Sequence, residues 1–377
     1  MKPSRFAPLF PILLVAFSST TQAQQGSTHH QLMEFDVPQA SKSNITGCNA
    51  SCGTFAQANN DEGLIVGYYT DEQIAAHAFF RSPDAHIESF DVPPIDSNPN
   101  LATYAFSVND CGAITGTFEN SNTVFLAFIR EPDGKFTNFA VLGPDGLPEP
   151  NGTEAFDINL EGTTAGVYFD TSGEEHGFVR SRYGNISTFD PMGSVATMVC
   201  EETCLNAYGA ITGFFLDSTN TWHGFVREPS GKITTFDAPD AATGSGFGTF
   251  PVSINLDGTI TGYIVNSKNV SYGFLRTPQG RFGIFDISEA STANGAGIAP
   301  YSINFFGAVA GAYYDDKLAA HGFVRWPNGD VTIFSASNAN ASSPYQGTRP
   351  STNNASGQVT GWILDKNNLN HAFLWCP

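Results

Sequence analysis

The 377-residue chain is predicted to be an all-β protein, a seven-bladed β-propeller with four antiparallel strands in each blade. Three observations predict this fold. An Asn-x-x-Gly step recurs seven times, each copy carries four short aromatic and β-branched runs, and the N-terminal segment supplies a run that the C-terminal copy lacks. Because a lone four-stranded unit leaves its faces exposed, seven such units are expected to stack on one another in a ring.

The Asn-x-x-Gly step predicts the turn between strands A and B, the first two strands of each repeat, because Asn and Gly adopt positive φ at low cost. A second Gly follows four residues later, and an Asp or Asn four residues after that begins the B–C turn. The first Asn of each copy is Asn60, Asn109, Asn159, Asn206, Asn255, Asn304 and Asn354.

Strand C begins with His in five copies, and Arg follows the strand's Phe by two residues in six. A second Phe, eleven residues after the strand C Phe and commonly followed by Asp, marks strand D. A residue that recurs on most blades usually serves the hydrogen bonding of the blade itself, so we predict a structural role for these His and Asp side chains, and no metal site. We expect the repeated Arg, such as Arg130, to pair with acidic residues of the strands.

The two ends of the chain predict how the ring closes. The segment Phe35-Asp-Val-Pro38 matches Phe90-Asp-Val-Pro93, a strand D, while the last copy stops at Pro377 after strand C. An N-terminal strand is therefore expected to complete the last blade, so that residues 31–377 form one propeller domain.

The repeat resembles the HAF family of extracellular repeats, named for the His-Ala-Phe found here at residues 77–79 and 371–373. The resemblance covers essentially all of residues 31–377. It implies an extracellular repeat protein and no defined activity. Leu126 and Tyr272 replace the His in two copies, so a role that requires every His is not implied.

Residues 1–23 have the pattern of a secretory signal peptide, since Lys2 and Arg5 precede an apolar run and Ala23 ends the segment. Residues 24–30 are expected to be a flexible tail. The apolar run is too short to span a bilayer, so we expect no membrane insertion and a secreted, periplasmic or cell-surface location. A net charge of −19 argues against nucleic acid as a partner, and leaves a glycan, a cation or an extracellular protein.

Six cysteines in a secreted chain predict disulfide bonds. Cys48 and Cys52 share one D–A loop, and Cys200 and Cys204 share another, so two local bridges are the simplest pairing. Metal binding by these pairs would need further ligands nearby. We predict no cofactor, with Ca²⁺ left open for the acidic residues described below.

Only the connection from strand D to the next strand A varies in length, and loops on a rigid scaffold commonly carry binding sites. Five residues before the Asn of each A–B turn, a position at the channel mouth differs from blade to blade. It reads Phe55, Tyr104, Glu154, Glu201, Phe250, Ala299 and Arg349. Aromatic rings with carboxylates and an Arg suit sugar recognition, and the alternative is that these side chains simply fill the channel.

We therefore expect a binding module, rather than an enzyme, that takes a glycan or a protein on the D–A loop face. The candidate ligand-binding residues are Phe55, Tyr104, Glu154, Asp157, Glu201, Glu202, Phe250 and Arg349. The alternative is a polysaccharide hydrolase or lyase, because the four acidic members of this set come from adjacent blades and close carboxylates suit acid/base catalysis.

Overall fold

Repeated turn residues determine where the strands begin and end. The structure, a computed structural model, describes residues 30–45, 48, 52–94, 101–199, 203–339, 344 and 346–377. Asn60 Oδ1 accepts the Leu64 N–H at 2.8 Å, and Gly63 has a φ of 81°. In the B–C turn Asp71 Oδ1 accepts the N–H groups of Gln73 and Ala75. Both turns confirm the sequence-based prediction.

The described residues form 28 strands and no helix. The first, β1, spans Gln31–Phe35. The next four units are β2 (Gly53–Asn59), β3 (Ile65–Thr70), β4 (Ala76–Arg81) and β5 (Ile87–Phe90); β6 (Ala102–Val108), β7 (Ile114–Glu119), β8 (Phe125–Arg130) and β9 (Phe136–Phe139); β10 (Thr153–Ile158), β11 (Thr164–Phe169), β12 (Glu175–Arg180) and β13 (Ile186–Phe189); and β14 (Ser194–Val199), β15 (Ile211–Asp217), β16 (Trp222–Arg227) and β17 (Ile233–Phe236).

The remaining units are β18 (Gly248–Ile254), β19 (Ile260–Val265), β20 (Ser271–Arg276) and β21 (Phe282–Phe285); β22 (Gly297–Ile303), β23 (Val309–Tyr314), β24 (Ala320–Arg325) and β25 (Val331–Phe334); and β26 (Gly347–Asn353), β27 (Val359–Leu364) and β28 (Asn370–Cys376). Consecutive strands within each unit pair antiparallel, as in β2–β3 and β3–β4. Strand β1 pairs antiparallel with β28, from Gln31 opposite Cys376 to Phe35 opposite Ala372. It therefore occupies the strand D position of the last unit.

A bulge in each strand A explains the second Gly of the repeat. In β2 the register shifts between Ala56 and Ala58, so the partner residue Gly67 lies against the backbone of the bulged strand. A Cβ atom at Gly67 would overlap the carbonyl oxygen of Phe55. Only glycine allows the two strands to approach this closely.

The core lies between neighbouring units. The strand C Phe of every unit is fully buried, namely Phe79, Phe128, Phe178, Phe225, Phe274, Phe323 and Phe373. The repeated Arg stacks on the strand D Phe of the preceding unit, with its guanidinium carbon 4.4–5.0 Å from the ring centre in six pairs, among them Arg227 over Phe189 and Arg81 over Phe35. This corrects the expectation that the Arg pairs with acids. Arg130 adds a 3.8 Å ion pair to Glu88, but the ring is the contact that recurs.

The Asn of the A–B turn also joins each unit to the next. Asn60 Nδ2 donates to the backbone oxygen of Asn109 at 3.0 Å, and Asn354 Nδ2 donates to that of Asn60 at 3.0 Å. Four more such bonds link Asn109 to Asn159, Asn159 to Asn206, Asn206 to Asn255, and Asn304 to Asn354. These side chains therefore hold the turn with one atom and the neighbouring unit with the other.

The fourth unit departs from the common spacing. Val199 pairs with Gly213 and Leu205 with Ile211, so five residues separate these two paired positions, whereas two separate their equivalents Ala56 and Asn59 in β2. Met198, opposite Phe214, therefore occupies the position that spacing alone assigned to Glu201. In compensation, only residues 190–193 connect β13 to β14, whereas residues 237–247 connect β17 to β18. Residues 200–202, which include Cys200, Glu201 and Glu202, lie outside the described residues.

The signal peptide and residues 24–29 also lie outside the described ranges. His30, the last residue assigned to the tail, stacks on Trp375 at 5.4 Å. No helix in the described part of the chain is long and apolar enough to cross a membrane.

Candidate functional site

The two ends of the stacked units offer different chemistry. At the A–B turn end, a cavity of about 360 Å³ is lined by residues from every unit, including Asp157, Asn159 and Phe305. At the other end, where the B–C turns and D–A connections lie, aromatic side chains contact one another. The candidate residues that the structure describes divide between these two ends.

Asp157 lies at the A–B turn end and is engaged by three donors. Its carboxylate accepts from the Ser107 hydroxyl at 2.7 Å, from the Ile158 N–H at 2.8 Å and from the Leu205 N–H at 2.9 Å. Burial raises the pKa of Asp157 to about 6, although these hydrogen bonds act to lower it. The carboxylate therefore links three successive units.

Glu154 is three residues earlier on β10 and does not line the cavity that contains Asp157. The alternative function, a hydrolase or lyase, needs two carboxylates that converge on one bond. Within the described residues, Glu154 and Asp157 do not share a cavity, and Asp157 is already bonded to the scaffold. The geometry therefore does not favour the two-carboxylate mechanism.

The raised pKa of Asp157 predicts that stability falls as the pH rises through about 6. The unfolded carboxyl has its ordinary pKa of 3.8, so the folded state binds the proton more tightly. Its contribution is complete below about pH 4 and is lost as the pH rises through about 6. Thermal melts of the mature chain from pH 4 to pH 7 measure this slope.

Asp157→Ser supplies the matched variant, because Ser253 and Ser302 occupy the same position in other units and Ser253 Oγ accepts the Ile303 N–H at 3.1 Å. We expect the variant to fold and to lose this part of the pH slope. An unchanged slope in Asp157→Ser would show that another group causes it.

At the other end, several candidate residues are brought together through aromatic contacts. Arg349 lies 5.0 Å over the ring of Trp362, which meets Phe55 edge-on at 5.6 Å. Phe55 stacks on Tyr68 at 4.8 Å, and Tyr68 contacts Tyr104 at 5.0 Å. Burial, and then the charges of Glu119 and Glu154, raise the pKa of Tyr104. Arg349, Phe55 and Tyr104 are thus joined by one continuous chain of side-chain contacts.

Phe250 makes a separate set of aromatic contacts. It stacks on Tyr263 at 4.9 Å, and it is buried, as Phe55 is. The packed faces of these two rings agree with the channel-filling alternative for Phe55 and Phe250. We call the strand A position that Phe55 and Phe250 occupy the ring position. An open surface is found at the ring position of another unit.

A cleft of about 230 Å³ opens where the ring position carries Ala299, the smallest side chain of the set. Tyr263, Tyr301 and Tyr314 line it, together with Asn269 and Ser271. Burial and the neighbouring Tyr314 hydroxyl, to which it is hydrogen-bonded, raise the pKa of Tyr301 well above its usual range, so this hydroxyl stays protonated. The sequence places Ala299 at the ring position, but Ala299 was not among the predicted ligand-binding residues. What could have revealed it is its small side chain at a position where the other units carry large ones.

The recurring His residues hydrogen-bond to side chains of their own and neighbouring segments, as a structural role predicts. His77 Nδ1 lies 2.9 Å from Asp91 and its Nε2 lies 3.4 Å from Asp71. His371 Nδ1 lies 2.9 Å from Asp36, just after β1. This hydrogen bond raises the pKa of His371, against the opposing effect of burial.

One predicted disulfide is confirmed, because Cys48 and Cys52 are bonded. Cys204 is buried, and its predicted partner Cys200 is outside the described residues. Cys111 and Cys376 form no disulfide within the described part of the chain.

No protein-family model and no curated protein matches the chain. Among solved structures, puromycin hydrolase is similar with a TM-score of 0.54 and 14% identity over 86% of this chain and 52% of that one, so the chain spans about half its length. A lectin from Aleuria aurantia in complex with Fucα1-6GlcNAc has a TM-score of 0.43, with 13% identity over 74% of this chain and 93% of the lectin. TolB from Acinetobacter baumannii has a TM-score of 0.39, with 12% identity over 83% and 79%. At 14% identity, the likeness to puromycin hydrolase shows that the two chains share an all-β fold. It carries no information about activity.

Proposed function

We propose that residues 31–377 form a closed seven-bladed β-propeller that acts as an extracytoplasmic binding module. The pairing of β1 with β28 and the hydrogen bond from Asn354 to Asn60 support closure, since both join the ends of the chain. The Cys48–Cys52 bond supports an oxidising compartment, as does the resemblance to HAF repeats.

The ligand that we propose is a glycan, bound in the cleft beside Ala299. The observation that carries this proposal is the gap itself: beside one small residue, at a position that is bulky in the other units, three half-buried tyrosines line a concave site. Tyrosine rings present flat apolar faces that pack on sugar rings, and their hydroxyls bond sugar hydroxyls. The cleft volume suits one or two sugar rings of a longer chain.

The lining of the cleft also points to the charge of the ligand. None of the nine residues around it carries a formal charge, while the protein as a whole carries −19. An anionic polysaccharide would be repelled by that net charge and would find no Lys or Arg in the lining; Arg349, whose charge reaches Tyr301, lies over the ring of Trp362. We therefore infer a neutral glycan.

Ala299→Tyr tests this proposal by filling the cleft. The repeat already accepts an aromatic at this position, as Phe55, Tyr104 and Phe250 show, so the variant is expected to fold. We expect the mature chain to bind a subset of neutral glycans on an array, and Ala299→Tyr to lower the affinity for them at least about tenfold, which is about 1.4 kcal/mol.

Met198→Tyr is the matched control, because it places the same side chain at the same ring position of the fourth unit. It should leave glycan affinity and melting temperature near those of the parent chain. Equal affinity in Ala299→Tyr and the parent chain would contradict the proposal, and so would a blank array together with measurable polysaccharide hydrolysis.

A further inference from the structure

In the five units that have it, the strand C His lies between two oxygen-bearing side chains. Its Nδ1 bonds the residue that follows strand D, and its Nε2 faces the Asp that begins the B–C turn, at 3.4 Å in His77 and 3.7 Å in His371. In the third unit His176 Nδ1 lies 2.9 Å from Asp190, and Nε2 lies 3.6 Å from Asp170 Oδ2. A His held through Nδ1 by a carboxylate presents the Nε2 lone pair to a metal ion.

Only the third unit adds a further carboxylate to this pair. Two residues before the strand C His or its equivalent, the other units carry Ala75, Val124, Thr221, Val270, Ala319 and Leu369, whereas this unit carries Glu174. Ligand atoms of Asp170, Glu174 and His176 all lie within 4.8 Å of one another. Glu174 is exposed, so its side chain is able to close the remaining distance.

A second departure from the repeat holds His176 in place. In five other units the second residue after the strand D Phe donates its N–H to a buried Thr of the next strand A, as Ala238 does to Thr249 at 3.0 Å. The third unit has Pro191 there, which has no N–H to donate. The corresponding Thr197 hydroxyl instead donates to Asp190 Oδ1 at 2.7 Å.

Asp190 is therefore fixed by Thr197 through one oxygen and bonded to His176 Nδ1 through the other. Thr197 is fully buried, so the chain from Thr197 to Asp190 to His176 begins in the rigid part of the fold. Asp170 is fixed as well, because its Oδ1 accepts the N–H groups of Ser172 and Glu174 at 2.8 and 2.9 Å. Its Oδ2, which also accepts from the Ser172 hydroxyl, is the atom that faces His176.

We propose that Asp170, Glu174 and His176 bind a Zn²⁺ ion on the surface of the third unit, with Asp190 and Thr197 as positioning residues. One imidazole nitrogen and two carboxylate oxygens suit zinc, with water as the fourth ligand, whereas Ca²⁺ prefers oxygen ligands throughout. Tetrahedral zinc with bonds of about 2.0–2.1 Å separates its ligand atoms by roughly 3.4 Å, close to the 3.6 Å between His176 Nε2 and Asp170 Oδ2. This site departs from the sequence-based prediction that the recurring His and Asp side chains form no metal site.

Calorimetric titration of ZnCl₂ into the mature chain, purified without a histidine tag and pre-treated with chelator, tests the proposal. We expect one tight site per chain. Glu174→Ala restores the residue of the first and sixth units, so it should fold normally and weaken zinc binding at least about thirtyfold. Asp190→Asn, which leaves the ligands in place, should weaken it about ten- to a hundredfold.

His77→Gln is the matched control, because His77 has the same two carboxylate neighbours but no counterpart of Glu174. It should keep the tight site, whereas His176→Gln should lose it. Thermal melts without metal check that each variant folds. The proposal is overturned if zinc does not bind, if Glu174→Ala binds it as well as the parent chain, or if Ca²⁺ binds the site more tightly than Zn²⁺. Since the cleft beside Ala299 takes no part, these results are independent of glycan binding.

Discussion

Deletion of residues 32–38 is expected to lower the melting temperature of the mature chain by more than about 10 °C, or to abolish soluble expression. Without β1, strand β28 has an unpaired edge from Ala372 to Cys376. Arg81 also loses the Phe35 ring, 4.9 Å away, and His371 loses Asp36. The loss therefore reaches both the last unit and the first, and it leaves a strand edge open to aggregation.

Deletion of residues 24–29 is the control for this experiment, and it should leave the melting temperature nearly unchanged. Both truncated chains are compared by thermal melt and by size-exclusion chromatography after secretion. If the chain lacking residues 32–38 melts like the full mature chain, β1 is not part of the ring, and the seven-bladed assignment has to be revised.

Replacement of Asn304 by Ala is expected to lower the free energy of unfolding by about 3 kcal/mol. Its Oδ1 accepts the N–H groups of Phe306 and Ala308 at 3.1 and 2.9 Å, and its Nδ2 donates to the Asn354 oxygen at 2.8 Å. Three hydrogen bonds are lost from a buried side chain, at about 1 kcal/mol each.

Asn304→Asp separates the two roles of this side chain. An aspartate keeps the acceptor for the turn but has no donor for Asn354 and places an anion beside its carbonyl oxygen. In denaturant unfolding, the free energy of unfolding of Asn304→Asp should be lower than that of the parent chain. A loss under about 0.5 kcal/mol in both variants would mean that the Asn residues do not join the units.

Much of the fold was accessible from the sequence because the same physical requirement recurs seven times. Asn60 and its equivalents had to satisfy a turn, and Phe79 and its equivalents had to be buried, so the spacing between them stayed constant. The position of β1 followed from the match between Phe35 and Phe90. In each case a local pattern determines a local structure, and repetition removes the ambiguity.

The candidate site was less accessible, because it depends on where the repeat fails. Counting back from Asn206 assigned Glu201 to the ring position, whereas three additional residues between Val199 and Leu205 bring Met198 there. A bulge changes register without changing composition, so spacing does not reveal it. Ala299 carries no chemistry of its own, and its importance comes from the tyrosines that its small size exposes.

The site in the third unit was hidden for a related reason. The His and Asp residues recur and were predicted to be structural, which drew attention away from the copy that differs. Glu174 and Pro191 are ordinary surface residues when read alone. Their consequence appears only when Thr197, from the next unit, is seen to bond Asp190.

The most direct test of the account is a crystal structure of the mature chain soaked with the neutral glycan that binds most strongly on the array. The account predicts a sugar ring in the cleft beside Ala299, in contact with Tyr263, Tyr301 or Tyr314. It also predicts an empty cleft in the Ala299→Tyr variant soaked in the same way. A sugar bound instead in the axial cavity beside Asp157, or held equally well by the variant, would contradict it.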